Sequence, residues 1–230
     1  LEKTVGTWSA PSTPKGAKTF TTASAPAASK VILIARPGSP QSFILAGYPL
    51  ARRGTDDNLA LTTVNTPLGG VFTSRLNMNL REDKGWSYGV STAISQTSEQ
   101  MPFYVFAPVQ TDKTGAALAE LRKDITAFVT DRPITPEEVT STLAFLTGRL
   151  PGAYESSAAV LDALETNARL KRPDDYQVTY AAKLNALTRD QLIAAAKANI
   201  DVNRLLWVVV GDRRQVEPQL KPLGLPIEVK

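Results

Sequence analysis

"SRLNMNLREDKGWSYGV", residues 74–90, carries the signs of a helix, a corner and a strand in succession. Leu76 and Leu80 have the four-residue spacing of one helical face, and the charged residues that follow are typical of a polar corner. Arg81 closes the predicted helix, and Tyr88 opens the predicted strand seven residues later. Most corners of a chain need only polar residues without a specific role, whereas this one holds two strong hydrogen-bond donors that could bind the same group.

The predicted elements extend on both sides of this stretch. The four-residue spacing continues back to Phe72, with Gly69 and Gly70 at the start of the predicted helix. Downstream, two runs predict strands that are antiparallel neighbours, because the link between them is short enough for a hairpin. These strands are predicted at 86–99 and 102–112.

Strands and helices are unevenly distributed along the rest of the chain. Strands are predicted at 31–35 and 43–46, around a Pro-Gly-Ser-Pro turn, and at 204–212, where "RLLWVVVGD" would end the domain as a buried strand. Helices are predicted at 55–65, 118–128, 135–150, 156–168, 174–187 and 188–200. This order shows no strand–helix–strand alternation. It predicts an α+β fold, with a mainly antiparallel sheet and helices packed on one side.

Two of the predicted helices begin with a capping box. Thr135 is followed three residues later by Glu138, and Thr188 is followed by Gln191. In this arrangement the hydroxyl and the longer side chain each satisfy a backbone N–H group at the helix start. We therefore expect both helices to begin at these threonines.

The beginning of the chain differs in composition from the rest. Residues 1–30 are rich in Pro, Ala, Ser, Thr and Lys, a composition that buries little surface. They predict a linker or extended arm, followed by a single domain at 31–230. The sequence contains no apolar run long enough to span a bilayer.

The composition excludes several classes of chemistry. The chain has no cysteine and no histidine, so disulfides, thiol catalysis and Ser-His-Asp triads are excluded, and a typical catalytic zinc site cannot be built from it alone. The net charge is +4, but the basic residues are scattered and are not interleaved with aromatic residues. A nucleic-acid partner is therefore not predicted.

Over roughly residues 30–225 the sequence resembles a known family. "NTPLGGVFTSRLNMNLREDKGWSYGV" (65–90) resembles the signature of the non-catalytic homologous domain of pitrilysin/insulinase-type zinc peptidases, the inverzincins, whose zinc motif is His-x-x-Glu-His. "RPGSPQSFILAGYP" resembles the first strands of that domain, "FLTGRLPGAYES" its middle helical region and "LLWVVVGD" its closing strand. The zinc motif is absent here, as expected for the zinc-free half.

The resemblance implies a chamber formed by two similar halves. One half carries the zinc, and the other contributes an Arg–Tyr pair, seven residues apart, that reaches across to the substrate. The matching residues are Arg81 and Tyr88, with implied catalytic and substrate-binding roles, and Gly69 and Gly70 match a substrate-contacting segment. The implied partners are a zinc-bearing domain or subunit and a peptide or unfolded polypeptide. The chain would not be a peptidase by itself.

The residues alone also allow plainer interpretations. Arg81 could be an ordinary cation at the end of a helix that interacts with the terminal carbonyl groups. Gly69 and Gly70 could simply be the first residues of a helix. Strand alternation places Tyr88 on the same face as Val90, which is typical of a semi-buried tyrosine.

Two other functions fit the same resemblance. One is a structural assembly subunit that keeps the fold without proteolysis, and the other is an independent peptide-binding module. Because bacterial relatives of this type are often exported to the periplasm, a periplasmic or secreted location is favoured over a cytoplasmic one.

Overall fold

A computed structural model describes residues 2–9, 11–13, 16 and 18–230, and a six-stranded mixed sheet organises this part of the chain. The strands are β1 Lys30–Ala35, β2 Gln41–Arg53, β3 Ser91–Ile94, β4 Gln100–Gln110, β5 Leu206–Gly211 and β6 Ile227–Val229. Their order across the sheet is β3-β4-β2-β5-β1-β6. The pairs from β3 to β5 are antiparallel, whereas β1 pairs in parallel with β5 and with β6. The predicted α+β fold with a mainly antiparallel sheet is confirmed.

The helices lie mostly between β4 and β5 in the sequence. They are α1 Glu2–Val5, α2 Leu59–Asn65, α3 Arg75–Asn77, α4 Thr114–Val129, α5 Pro136–Gly148, α6 Ser157–Arg169, α7 Tyr176–Asn185, α8 Arg189–Asn199 and α9 Arg213–Leu220. Two π-helical segments, Thr66–Gly70 and Met78–Asp83, flank α3, and short 3-10 turns occupy Thr111–Lys113, Pro151–Tyr154, Val202–Arg204 and Lys221–Leu223. None of the described helices is long and apolar enough to cross a membrane.

The core lies on one face of the sheet. Ile44 and Ala46 of β2 are fully buried, and with Trp207 of β5 they belong to one cluster with apolar residues of α2, α4, α8 and α9. On the opposite face the alternating residues are also apolar but remain open, and Phe43 and Leu45 are about two-fifths exposed. The sheet is therefore covered on one side by its own helices, as predicted.

The local helix signals are confirmed. In α5, the Thr135 hydroxyl accepts a hydrogen bond from the backbone N–H of Glu138, whose carboxylate accepts one from the N–H of Thr135. Thr188 and Gln191 form the same arrangement at the start of α8. These side chains satisfy N–H groups that have no partner within the helix itself.

The end of the domain differs from the prediction. The strand β5 is buried and central, but α9 and β6 follow it, and β6 lies parallel to β1 at the edge of the sheet. The expectations that β5 ends the domain and that strand–helix–strand alternation is absent are therefore wrong. A three-residue strand is too short for a periodicity to reveal it.

The last residues of the predicted arm contact the domain. The backbone of Ala23 is hydrogen-bonded at both its N–H and its carbonyl to the Gln100 side chain. The buried Ser29 hydroxyl donates to the carbonyl of Leu205 and accepts from Nε1 of Trp207. The division between an arm at 1–30 and a domain at 31–230 stays a prediction.

Candidate functional site

A widened helical turn carries Arg81. Within the π-helical segment Met78–Asp83, the Lys84 N–H donates to the Asn79 carbonyl five residues back. Gly85 then adopts a left-handed conformation at φ +63°, and the N–H groups of Trp86 and of the next residue both donate to the Leu80 carbonyl. This geometry turns the chain sharply, and a glycine suits it because it has no Cβ.

The guanidinium of Arg81 lies between two aromatic rings. Its Cζ atom is 4.4 Å from the centroid of the Phe72 ring and 5.1 Å from that of Tyr88. Both rings are exposed, Phe72 by 56% and Tyr88 by 85%. The stacking keeps the guanidinium in place without using its terminal N–H groups.

Most of the donors of this pair are free. Nε of Arg81 lies 3.2 Å from an Oε1 oxygen of Glu82. Among the residues that the structure describes, none accepts a hydrogen bond from the terminal nitrogens of Arg81 or pairs with the Tyr88 hydroxyl. The structure thus brings Arg81 and Tyr88 together and leaves both able to bind a further group.

Two sequence expectations about this region are wrong. Phe72 was expected to share the helical face of Leu76 and Leu80, which are both fully buried, but it precedes the helix and is exposed. The helix begins only after Ser74, whose backbone is extended. Tyr88 lies before β3 begins, so strand alternation does not apply, and it is exposed whereas Val90 is buried.

The two glycines also lie elsewhere than expected. Gly69 and Gly70 end the π-helical segment Thr66–Gly70 and do not open the next helix. A Cβ on Gly69 would lie 2.6 Å from the backbone nitrogen of Thr92, so only glycine permits this approach of the segment to β3. Gly70 is exposed at the rim of a cavity beside Arg81.

This space, called here the Arg81 cavity, has a volume of about 430 Å³. It is lined by Gly69, Gly70, Val71, Phe72, Asn77, Arg81, Gly89, Val90, Ser91 and Phe106. The lining residues come from 69–72, from α3 and the π-helical segment that follows it, from 89–91 and from β4. The Arg81 guanidinium, the only charged group among these lining residues, lies beside one aromatic wall.

Asn77 ties the two walls of the Arg81 cavity together. Its Nδ2 group donates to the Phe72 carbonyl at 2.6 Å, and its Oδ1 oxygen accepts from the Val90 N–H at 2.9 Å. The residue is only 3% exposed. Sequence reasoning missed this positioning residue, although a polar side chain between two buried leucines was a visible signal.

The helix that precedes Arg81 is anchored by residues that are far from it in the sequence. Arg75 forms a two-point ion pair with the Glu138 carboxylate, at 2.7 and 2.6 Å, and donates to the carbonyls of Arg132 and Pro133. Nearby, Asn79 donates to the Glu120 carboxylate, and this hydrogen bond lowers the pKa of Glu120. These contacts hold the Arg81-bearing turn against the start of α5 and against α4.

The chain does not offer the ligands for a catalytic zinc ion. Histidine and cysteine are absent from the sequence, and no cluster of three or more acidic side chains that could hold a metal occurs among the described residues. The site can therefore bind and orient a polar group through Arg81 and Tyr88, and a metal, where needed, has to come from elsewhere.

Both a protein-family model and a curated protein match this chain. A family model described as the peptidase M16 inactive domain matches residues 1–146. A Streptomyces coelicolor protein described as an uncharacterized zinc protease is 27% identical over 200 residues, which are 86% of this chain and 40% of that protein.

Solved structures share the fold. A peptidase M16 inactive domain from Pseudomonas fluorescens has a TM-score of 0.78 at 24% identity, covering 87% of this chain and 47% of that one. A protease from Helicobacter pylori has a TM-score of 0.80 at 14% identity, covering 91% and 50%. The chain thus spans half the length, or less, of these relatives.

Proposed function

Since this chain belongs to the family of M16 peptidase inactive domains, confirming the resemblance to the zinc-free domain of pitrilysin/insulinase-type peptidases, we propose that it is the zinc-free half of a two-part zinc metallopeptidase. Its partner would be a homologous domain or subunit that holds the zinc. The observation that supports this role best is the Arg81–Tyr88 pair, in which the Tyr88 ring is exposed and Arg81 lines a cavity.

The chemistry of peptide hydrolysis calls for such donors. The carbonyl oxygen of the cleaved bond gains negative charge in the transition state, and a donor placed at that oxygen stabilises the transition state more than the substrate. The Tyr88 hydroxyl is suited to this oxygen. The Arg81 guanidinium presents a planar set of N–H groups to the backbone carbonyls of an extended peptide.

The two glycines have a role in the same proposal. The exposed Gly70 and the adjoining, buried Gly69 both line the Arg81 cavity. A wall without side chains lets an extended peptide approach the backbone closely. In this proposal Gly69 and Gly70 contact the substrate, which is a peptide or an unfolded polypeptide.

Kinetics of the assembled peptidase test the proposal. The chain is purified from its native source together with whatever polypeptide carries the zinc motif, and cleavage of an unfolded protein such as β-casein is followed. Arg81→Ala and Tyr88→Phe are each expected to lower kcat/KM by about a hundredfold, the usual effect of losing one transition-state donor. The melting temperature should stay the same, because neither side chain is part of the core.

Arg149→Ala is the matched control, because that guanidinium also lies over a phenylalanine ring, at 5.3 Å, but outside the site. It should cleave at the parental rate. If both site variants also retain that rate, the chain is instead a structural assembly subunit that has the fold but does not contribute to proteolysis.

A further inference from the structure

A second cavity, called here the tyrosine groove, lies between the helices α6 and α7 and the rest of the domain. Its volume is about 1090 Å³, and its lining includes the start of α2, parts of α6, α7 and α8, and Gln96 from the link between β3 and β4. The tyrosine groove shares no lining residue with the Arg81 cavity. A ligand bound here would therefore leave the Arg81 cavity unoccupied.

Three tyrosines give the groove an aromatic wall. The centroids of the Tyr176 and Tyr180 rings are 5.7 Å apart, and the hydroxyl of Tyr154 donates to Oε1 of Gln177 at 2.6 Å. Burial raises the pKa of Tyr176 and of Tyr180, so both phenols stay uncharged at neutral pH. The wall can pack against a planar ring, and it does not neutralise nearby cations.

Cations surround the Tyr176 ring. Cζ of Arg172 lies 4.2 Å from the ring centroid, Nζ of Lys183 lies 5.6 Å from it, and Lys171 also lines the groove. Arg172 is held in place because its Nη2 group donates to Oε1 of Gln96 at 3.0 Å. Within the described part of the chain, no carboxylate forms an ion pair with these three cations. Their charge is available to an anionic ligand.

Lys171 lies where the backbone favours glycine. Its φ angle is +52°, and every other described residue with a positive φ is a glycine. The Lys171 N–H donates to the carbonyl of Ala168, and the N–H of the next residue donates to that of Asn167. Helices commonly end in this way, and the left-handed residue is then usually glycine because a Cβ makes the conformation unfavourable. The fold alone does not explain a lysine here, whereas a role for its side chain at the groove does.

Carboxylates line the groove as well. Asp56 lies 3.9 Å from Nε of Arg52, but Asp57 and Asp162 form no ion pair with any described residue. A simple anion would meet these carboxylates, whereas a ligand that also carries hydroxyl or amino donors would match them. A volume of about 1090 Å³ lies at the upper end of ligand pockets, which run from roughly 300 to 1,000 Å³. The groove can therefore hold a ligand with several such groups.

We propose that the tyrosine groove binds a small molecule that combines a planar ring, an anionic group and hydroxyl or amino donors, as a nucleoside monophosphate does. The ring packs against the tyrosines, the anionic group lies at the three cations, and the donors face the carboxylates. Such a ligand adds a small-molecule site to this half of the peptidase, apart from the Arg81 cavity.

Isothermal titration calorimetry of the full chain tests the site, with AMP as the probe. Adenosine and inorganic phosphate each lack one part of AMP and should bind at least about tenfold more weakly. Lys171→Gly and Lys183→Ala should each weaken AMP binding by about tenfold, the usual effect of losing one hydrogen bond to a charged group. Lys171→Gly should also melt about 1–3 °C higher, because glycine relieves the positive φ angle. A lysine with a purely structural role would not couple weaker binding to higher stability.

Lys197→Ala is the matched control, because Lys197 of α8 is exposed and does not line the groove. This variant should bind AMP with the parental affinity. The titration needs no zinc-bearing partner, so its outcome is separate from that of the peptidase kinetics.

Several results would overturn the proposal. One is AMP that fails to bind at millimolar concentration, and another is inorganic phosphate that binds as tightly as AMP. Equal affinities of Lys171→Gly, Lys183→Ala and the control would place AMP elsewhere on the chain. A glutamate oligomer that binds as tightly as AMP would assign the groove to acidic protein segments instead.

Discussion

Replacing Asn77 with alanine would remove the side chain that connects the two walls of the Arg81 cavity. Two hydrogen bonds are lost, one from Nδ2 to the Phe72 carbonyl and one to Oδ1 from the Val90 N–H. Each is worth about 1 kcal/mol net, and a buried N–H left without a partner, as at Val90, costs roughly 1–3 kcal/mol. We therefore expect the free energy of unfolding to fall by about 2–4 kcal/mol.

Urea unfolding followed by tryptophan fluorescence measures this change. Asn203→Ala is the control, because Asn203 is exposed, and it should change the free energy of unfolding by less than about 0.5 kcal/mol. Asn77→Asp keeps an acceptor for the Val90 N–H, but it loses the donor to Phe72 and places a buried carboxylate beside that carbonyl, so at neutral pH it should also lower the free energy of unfolding. An Asn77→Ala variant as stable as the Asn203→Ala control would refute the reasoning that this amide holds the walls together.

Two further predictions concern the edge of the sheet and the packing below the site. Lys230 and Lys30 hold the pKa of Glu228 down from 4.5 to about 2, so the stability from these ion pairs is present above pH 4.5 and is lost as the pH falls toward 2. The melting temperature of the parent should fall more between pH 5 and pH 2 than that of Glu228→Gln, and parallel profiles would contradict this. Gly69→Ala should lower the free energy of unfolding by about 1–3 kcal/mol, because the added Cβ collides with Thr92. Gly148→Ala is the control and should not lower it measurably, because a Cβ there meets nothing within 4 Å. Equal melting curves for the two variants would show that the segment around Gly69 moves aside.

Features that depend on neighbours in sequence were predictable. The capping boxes at Thr135 and Thr188 follow from residues three positions apart. The α+β class also follows, because it needs only the order of strands and helices. The pairing of Arg81 with Tyr88 was expected from the family resemblance. In the structure the Arg81 guanidinium lies 5.1 Å from the centroid of the Tyr88 ring.

Features that depend on the local width of the helix were not predictable. Phe72 has the right spacing from Leu76 to continue its helix, and periodicity cannot tell that the helix starts only at Arg75, three residues after Phe72. Tyr88 lies in the irregular segment that follows Gly85, where alternation has no meaning. The hydrogen bond from the Val90 N–H to Asn77 connects the two sides of the corner, and the sequence does not predict the conformation of that corner.

The π-helical turn that carries Arg81 makes the site sensitive to chain length. An i+5 bond encloses one residue more than an α-turn, and one residue of an α-helix corresponds to about 100° of rotation. A deletion of a single codon within 78–83 would tighten the turn, so that Leu80 in the core and Arg81 beside Phe72 could no longer both be kept. Replacement of a codon here alters one side chain, whereas loss of a codon would change the register of the whole corner, so the length of this segment is itself part of the site.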